Sequence, residues 1–349
     1  VSARSAEAAL APPGPHGWDF SDYPFGLEPM TLPHPGATVT PEPGSLPEDV
    51  LDAHRSLSVQ HEAGFEPTAP AGDDLERLFW FRWMIGHHVS FALWRLLADA
   101  LARVSPGSPD GDDQRELARA ITQYVRAYCG MLLYTGSSTR QVYNAVIRPS
   151  MYRLHSTFSG TWAPDYPAVR SLFRGRRTPP VHGAEIGALE REVRLSNLIH
   201  LGVSSKLVVD GRSLLQHSID TPDTHQPRMW GAIFDCYFLT LRAPVTPDRV
   251  VAQLLRRVKA IAIDVATNGL YPGAAHSAEE SPEELARPEV LACERELTAT
   301  LVGVAGLAAG LVPEPGGAPT VPCAAHASPD PHSLGGPGGP DIPNVPEGG

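Results

Sequence analysis

Three histidines stand where an imidazole is costly to keep. His87 and His88 are neighbours inside Phe79–Trp94, the most apolar stretch of the chain. His200 falls near the end of a second helical pattern, on a face with Val193, Ser196, Asn197 and Val203. A buried neutral imidazole needs an acceptor for its N–H and a donor for its lone pair. On a helix, positions three and four apart share a face. His88 therefore lines up with Phe81, Met84, Ile85, Phe91, Ala92 and Arg95, and His87 with Trp80, Trp83, Met84, Ser90, Phe91 and Trp94. Either both are satisfied core residues, or one is structural and the other faces a ligand. His200 suits a hydrogen bond inside a core or a single imidazole ligand to a metal. His217 and His225 follow in a loop-like region as rival ligands, and His155 reads better as a substrate contact.

A small-ion site is disfavoured. The chain has no His-Glu-x-x-His, no repeated Glu-x-x-His and no His-x-Asp triad, and adjacent helical residues point roughly 100° apart. Haem needs one protein ligand and a wide apolar slot, which a bundle rich in Trp, Phe and Met offers.

The elements that would position these groups are helical. Apolar residues from Leu75 to Leu101 recur near a 3.6-residue period and predict a helix over 73–104, apolar on nearly every face as a central bundle member would be. Further helices are expected at about 114–134, 139–147 (stopping before Pro149), 184–201, 206–217, 230–241, 248–268 and 282–310. Residues 149–181 mix Gly, Pro and aromatics and predict a long ordered loop. Few segments read as strands. The expected fold is all-α, with the helical domain at 71–311. Residues 1–70 are Pro-rich and predict an extended arm without long helices, anchored by Trp18, Phe20, Tyr23, Phe25 and Phe65. Residues 312–349 are Pro- and Gly-rich without Lys or Arg and predict a disordered tail.

Composition excludes some partners. Hydrophobic residues make up 42% and charged residues 19% of 349, so a globular core is expected. A formal net charge of -11 repels nucleic acid and anionic membranes. Neither a signal-like start nor a run of about 18 apolar residues occurs, so no membrane span and a cytoplasmic location are expected. Cys129, Cys236, Cys293 and Cys323 form no closely spaced pair, and the first three read as small buried hydrophobes.

The string His88-Val89-Ser90-Phe91-Ala92-Leu93-Trp94 resembles the distal-histidine helix of tryptophan 2,3-dioxygenase. Arg148, Pro149, Ser156, Phe158, Ser159 and Gly160 resemble that family's substrate-arginine region. The family's Gly-Thr-Gly-Gly-Ser-Ser loop is absent. The Tyr134–Arg140 and Arg148–Met151 stretches look more like a divergent branch, the haem-dependent L-tyrosine hydroxylases of bacterial natural-product pathways. The resemblance implies a dioxygenase-like helical bundle enclosing haem, 3-hydroxylation of L-tyrosine to L-DOPA with hydrogen peroxide (or dioxygen) as oxidant, and a homodimer. It implies His88 as the distal catalytic residue, with Phe91 and Met84 beside the cofactor. His200 is the expected proximal ligand, with His217 and His225 as alternatives. Arg148 or Arg140 would bind the substrate carboxylate, Ser137, Ser138, Ser156 and Ser159 are available to its ammonium group, His155 and Trp94 would close its pocket, and Phe158, in a Gly-flanked loop, would belong to a lid. Some relatives attach haem through His-x-x-x-Cys, and no histidine here lies four residues before a cysteine, so noncovalent haem b is implied. Two other readings remain: a haem mono- or dioxygenase acting on tryptophan or a derivative, and a cofactor-free helical binding protein.

Overall fold

The helix predicted over 73–104 is the axis of the observed fold. In the computed structural model, which describes residues 27–67, 74–104, 112–176, 179, 184–208, 227–272 and 281–311, it runs as α2. In chain order the elements are β1 (Met30–Leu32), α1 (Glu48–Ala63), α2 (Leu75–Arg103), α3 (Asp112–Thr135), α4 (Arg140–Val142), a π-helical turn (Tyr143–Ile147) and α5 (Arg148–Leu154). A 3-10 turn (Gly160–Trp162), α6 (Tyr166–Phe173), α7 (Ala184–Leu207), α8 (Pro227–Tyr237), β2 (Thr240–Arg242), α9 (Pro247–Asn268), α10 (Pro288–Arg295) and α11 (Leu297–Ala308) complete the series. The described part is thus mostly helical, as an all-α protein is. All described residues fall within one compact unit, Val1–Pro313. The anchors Trp18, Phe20, Tyr23 and Phe25, the histidines His217 and His225, Cys323 and the expected tail lie outside the described residues.

Sequence chemistry explains the main helices. Asp74 precedes α2, Glu76 stands in its first turn and Arg103 in its last, each sign matching the helix dipole. Thr246 and Pro247 start α9, and Gly269, at φ +69°, ends it. Helices α2 and α7 both pack along α3, α9 and α11 close the other side of α2 and α3, and α1 lies on α9 and α11. Two glycines set the spacing at one end. A Cβ at Gly86 of α2 would collide with the Thr135 side chain of α3, and one at Gly136 would stand 2.6 Å from the Val203 methyls of α7.

Several expectations need correction. Residues 1–70 hold a sixteen-residue helix, α1, because the stretch from Glu48 to Ala63 contains neither Pro nor Gly and starts with two acidic residues. Met30 and Leu32 are fully buried, and β1 pairs in parallel with β2. The helix expected to stop before Pro149 continues through Leu154. The Arg148 N–H reaches back to the Tyr143 carbonyl in the π turn, and Pro149 then sits in a new first turn, where no donor is needed. The loop expected over 149–181 holds α5, the 3-10 turn and α6. The helix expected over 230–241 ends at Tyr237, where Leu239 takes φ +50° and the chain turns into β2. The helix expected over 282–310 is two, α10 and α11. Cys129 and Cys293 are buried, whereas Cys236 is exposed, two residues round α8 from the inward Phe234.

Candidate functional site

Because α2 and α7 pack on α3 rather than on each other, a gap is left between them, and it forms a cavity of about 580 Å³. Along α2 the lining residues are Trp83, His87, Ser90 and Trp94, a single stripe at helical spacing. Helix α7 contributes Ser196, Asn197, His200, Val203, Ser204 and Leu207, and α3 gives Tyr128, Leu132 and Thr135. The remaining wall comes from Tyr143, Arg148 and Met151, from Phe158–Thr161 and Tyr166, from Phe173 and Arg174, and from Phe234 and Phe238. The charged groups among the described lining residues are Arg148 and Arg174, with no carboxylate.

His87, not His88, faces this space. The His87 Nδ1–H donates to the Trp83 carbonyl at 2.6 Å. A carbonyl can only accept, so this bond fixes the tautomer and leaves Nε2 with its lone pair. No described residue bonds to Nε2. The ring lies between Phe238 (centroids 4.4 Å apart, 21° between planes) and Trp83 (4.3 Å). Burial pushes the His87 pKa down to about 4, against the opposing pull of the Trp83 carbonyl. At neutral pH it is an uncharged hydrogen-bond acceptor.

His88 is a satisfied core histidine. It is fully buried, its Nε2–H donates to the Phe238 carbonyl, and its Nδ1 accepts from Arg257 Nε at 3.3 Å. Burial, with the Arg257 charge adding to it, holds its pKa well below the usual imidazole range. The expectation that His88 faces the pocket is therefore corrected by one helical position: its face packs on α9 and the end of α8, while the neighbouring face opens on the cavity. Phe91 and Met84 lie in the core beside His88, away from the cavity lining.

His200 lines the cavity from α7 and makes no hydrogen bond to another described residue. The residue as a whole is exposed, and the burial of its ring against the cavity wall lowers its pKa. Arg148, Trp94, Phe158 and Ser159 reach the cavity as expected. Arg140 does not: its guanidinium donates to the Lys206 and Ser205 carbonyls and caps the C-terminal end of α7. His155 does not either, since its Nδ1 is taken by the Thr157 backbone and hydroxyl and its ring lies against Trp162. Ser156, Ser137 and Ser138 are also absent from the lining. Sequence reasoning missed Tyr143, Tyr166, Arg174 and Phe238, whereas Asn197 and Ser196 stand on the His200 face as read from the helical period. For His87 the signal was present, because its neighbours Trp83, Ser90 and Trp94 are the observed stripe.

Two features fit a large aromatic cofactor beside an anionic ligand. Cavities for drug-sized ligands run from about 300 to 1,000 Å³, and this one carries nine Trp, Tyr and Phe rings in its wall. The Trp94 indole N–H is buried with no acceptor among the described residues, so a donor is left over for a ligand. Among the described residues no three His, Cys, Asp or Glu side chains converge as a small-ion site would need.

The helical fold and this cavity define the class as far as geometry does: an all-α protein with a histidine-bearing aromatic pocket. Residues 37–188 match the family described as SfmD 3-methyl-L-tyrosine peroxygenase. That stretch is less than half of the chain, and it is similar to the family over α1 to α6, including His87, Arg148 and Phe158–Thr161. His200 lies beyond it. No curated protein matches the chain. No helix among the described residues is long and apolar enough to cross a membrane.

Proposed function

We propose that this chain is a haem-dependent peroxygenase that hydroxylates the ring of a tyrosine-type amino acid beside its hydroxyl group. L-Tyrosine, giving L-DOPA, is the first candidate substrate, and the description of the matched family adds 3-methyl-L-tyrosine. One observation carries the reading. Two neutral imidazoles, His87 and His200, come from separate helices onto one aromatic cavity, and neither has a protein partner at its cavity-facing nitrogen among the described residues. In the overall change a ring C–H becomes C–OH, peroxide supplies one oxygen, and the other leaves as water.

His200 would ligate the iron, and Trp83, Trp94 and the phenylalanines of the wall would pack the macrocycle, held noncovalently as haem b. Bound there, haem supplies activation of peroxide and transfer of oxygen. Arg148 suits the substrate carboxylate through paired N–H donors. His87 Nε2 accepts a hydrogen bond from the substrate phenol or from peroxide. Its own pKa near 4 limits what it can do. A phenol titrates near 10, so full proton transfer in the ground state would cost roughly 8 kcal/mol. His87 therefore orients an O–H and takes up a proton only as reaction makes that proton more acidic.

The test is an absorption spectrum of the purified chain supplied with haem, recorded with and without L-tyrosine, followed by incubation with peroxide. A strong Soret band that shifts on adding L-tyrosine or 3-methyl-L-tyrosine, with a product heavier by one oxygen, is expected. A colourless protein would leave the cofactor-free binding reading in place. A product formed only from tryptophan and dioxygen would move the chain to the dioxygenase reading.

A further inference from the structure

His88 does not reach the cavity, yet it is tied to the residue that covers His87. We propose that His88, backed by Arg257, is a positioning residue: it pins the Phe238–Leu239 turn, so that the Phe238 ring stays stacked on His87 and holds the Nε2 of His87 toward the cavity. This rests on the proposed function only in giving His87 its work.

The geometry is continuous from the core to the cavity. Arg257 is fully buried in α9 and spends its other N–H groups on the Gln253 carbonyl at 3.1 Å, the Glu28 carbonyl at 3.0 Å and the Pro29 carbonyl at 3.2 Å. That anchorage fixes the guanidinium that donates to His88 Nδ1. With Nδ1 committed as an acceptor, His88 must carry its proton on Nε2, which donates to the Phe238 carbonyl. The chain then passes directly into Leu239, the one non-glycine residue with positive φ among the described residues. A branched side chain in that region costs on the order of one to three kcal/mol and persists only where its surroundings over-determine it. Here the Met30 N–H donates to the Leu239 carbonyl at 3.0 Å, the Leu239 N–H to the Cys236 carbonyl at 3.2 Å, and Thr240 Oγ1 reaches the Phe238 carbonyl at 3.5 Å. Removing His88 takes away the one bond to this turn that comes from α2, the helix that also carries His87. The Phe238 ring, stacked on His87 at 4.4 Å, is what transmits the effect. If it slides, the imidazole gains room to rotate and to exchange its Nδ1–H bond with Trp83 for the other tautomer.

A merely structural His88 would change stability and leave the His87 tautomer alone. The experiment uses the full chain with 15N-labelled histidine and no added cofactor or substrate, with the His87 ring signals assigned by their loss in His87→Ala. Wild type is expected to show one His87 tautomer with the proton on Nδ1. His88→Leu, which loses both bonds, is expected to bring the two ring-nitrogen shifts together as tautomers mix. His88→Gln, whose amide can donate to the Phe238 carbonyl and accept from Arg257, is expected to restore the wild-type pattern. Phe238→Ala keeps the backbone bond but removes the ring, and is expected to mix the tautomers as His88→Leu does. An unchanged His87 pattern in folded His88→Leu, or in Phe238→Ala, overturns the proposal. Should His88→Leu show no melting transition, Phe238→Ala and His88→Gln decide it. Since haem and substrate are absent, a failed peroxygenase assay would sink the proposed function and leave this result to be read by itself.

Discussion

One helical position separates a core histidine from one that lines the cavity, and the two are expected to respond differently to loss. His87→Ala removes the cavity acceptor and is expected to lower turnover by about 10²- to 10⁴-fold, the usual worth of positioned proton handling, while the haem spectrum persists. Steady-state rates and the Soret band check both halves of that statement. Arg148→Lys keeps the charge but loses the planar pair of donors, so substrate affinity is expected to fall about tenfold with an unchanged haem spectrum. A titration of tyrosine monitored by absorbance reads it, and unchanged affinity would remove Arg148 from the carboxylate site. The sequence brought out the right pair of histidines but not which of them faces the cavity. Periodicity reveals direction only where one side of a helix is polar, and α2 is buried almost all round, from Phe79 and Phe81 to Leu96 and Leu97. The polar members that mark the cavity stripe, Ser90 and the indole N–H groups of Trp83 and Trp94, are too few to tip that pattern. Arg140 was unreadable for a different reason. Its partners are main-chain carbonyls at the end of α7, which leave no trace in side-chain spacing.

At the scale of elements, what can be read from sequence is where helices run, and what cannot is how closely they approach. The positions of α2, α3, α7 and α9 follow from apolar period and end signals. The approach of α7 to the end of α3 depends on Gly136, whose missing side chain lets the Val203 methyls in. Gly136→Ala is expected to destabilise the fold by about 1–3 kcal/mol through overpacking, and to weaken ligand binding as α7 moves. Urea unfolding and the haem titration measure these separately. Just before β1, Glu28 forms a buried pair of hydrogen bonds with Arg256 at 2.7 and 3.1 Å, a contact that composition does not reveal. Glu28→Ala removes both of these bonds to a buried guanidinium and is expected to cost about 3–5 kcal/mol by chemical denaturation. A loss within error of zero would mean that Arg256 finds another partner.

Across the whole molecule, the buried imidazoles set an acid limit. The folded-state pKa of His87 lies near 4, and those of His88, His200 and His54 are also lowered by burial. An unfolded histidine titrates near 6.5, so between these values the unfolded chain binds more protons than the folded one. Their contribution is fully present above about pH 6.5 and is lost as pH falls toward 4, with His87 alone worth roughly 3 kcal/mol. Glu192, Glu294 and Asp235, raised by burial, work in the opposite sense, but only within the carboxylate range. Melting temperature is therefore expected to decline from pH 6.5 downward, before carboxylates begin to protonate. A flat profile between pH 6.5 and 5 would contradict the buried histidines. The pairing of β1 with β2 has a consequence in time. Met30 bonds to the turn at Leu239, more than two hundred residues along. Contacts of such separation form late, after local helices. On the ribosome, the early residues must wait for the strand that follows α8 to emerge before the wall over His87 can be sealed. A nascent chain halted ahead of residue 240 would carry most of its helices and no finished pocket.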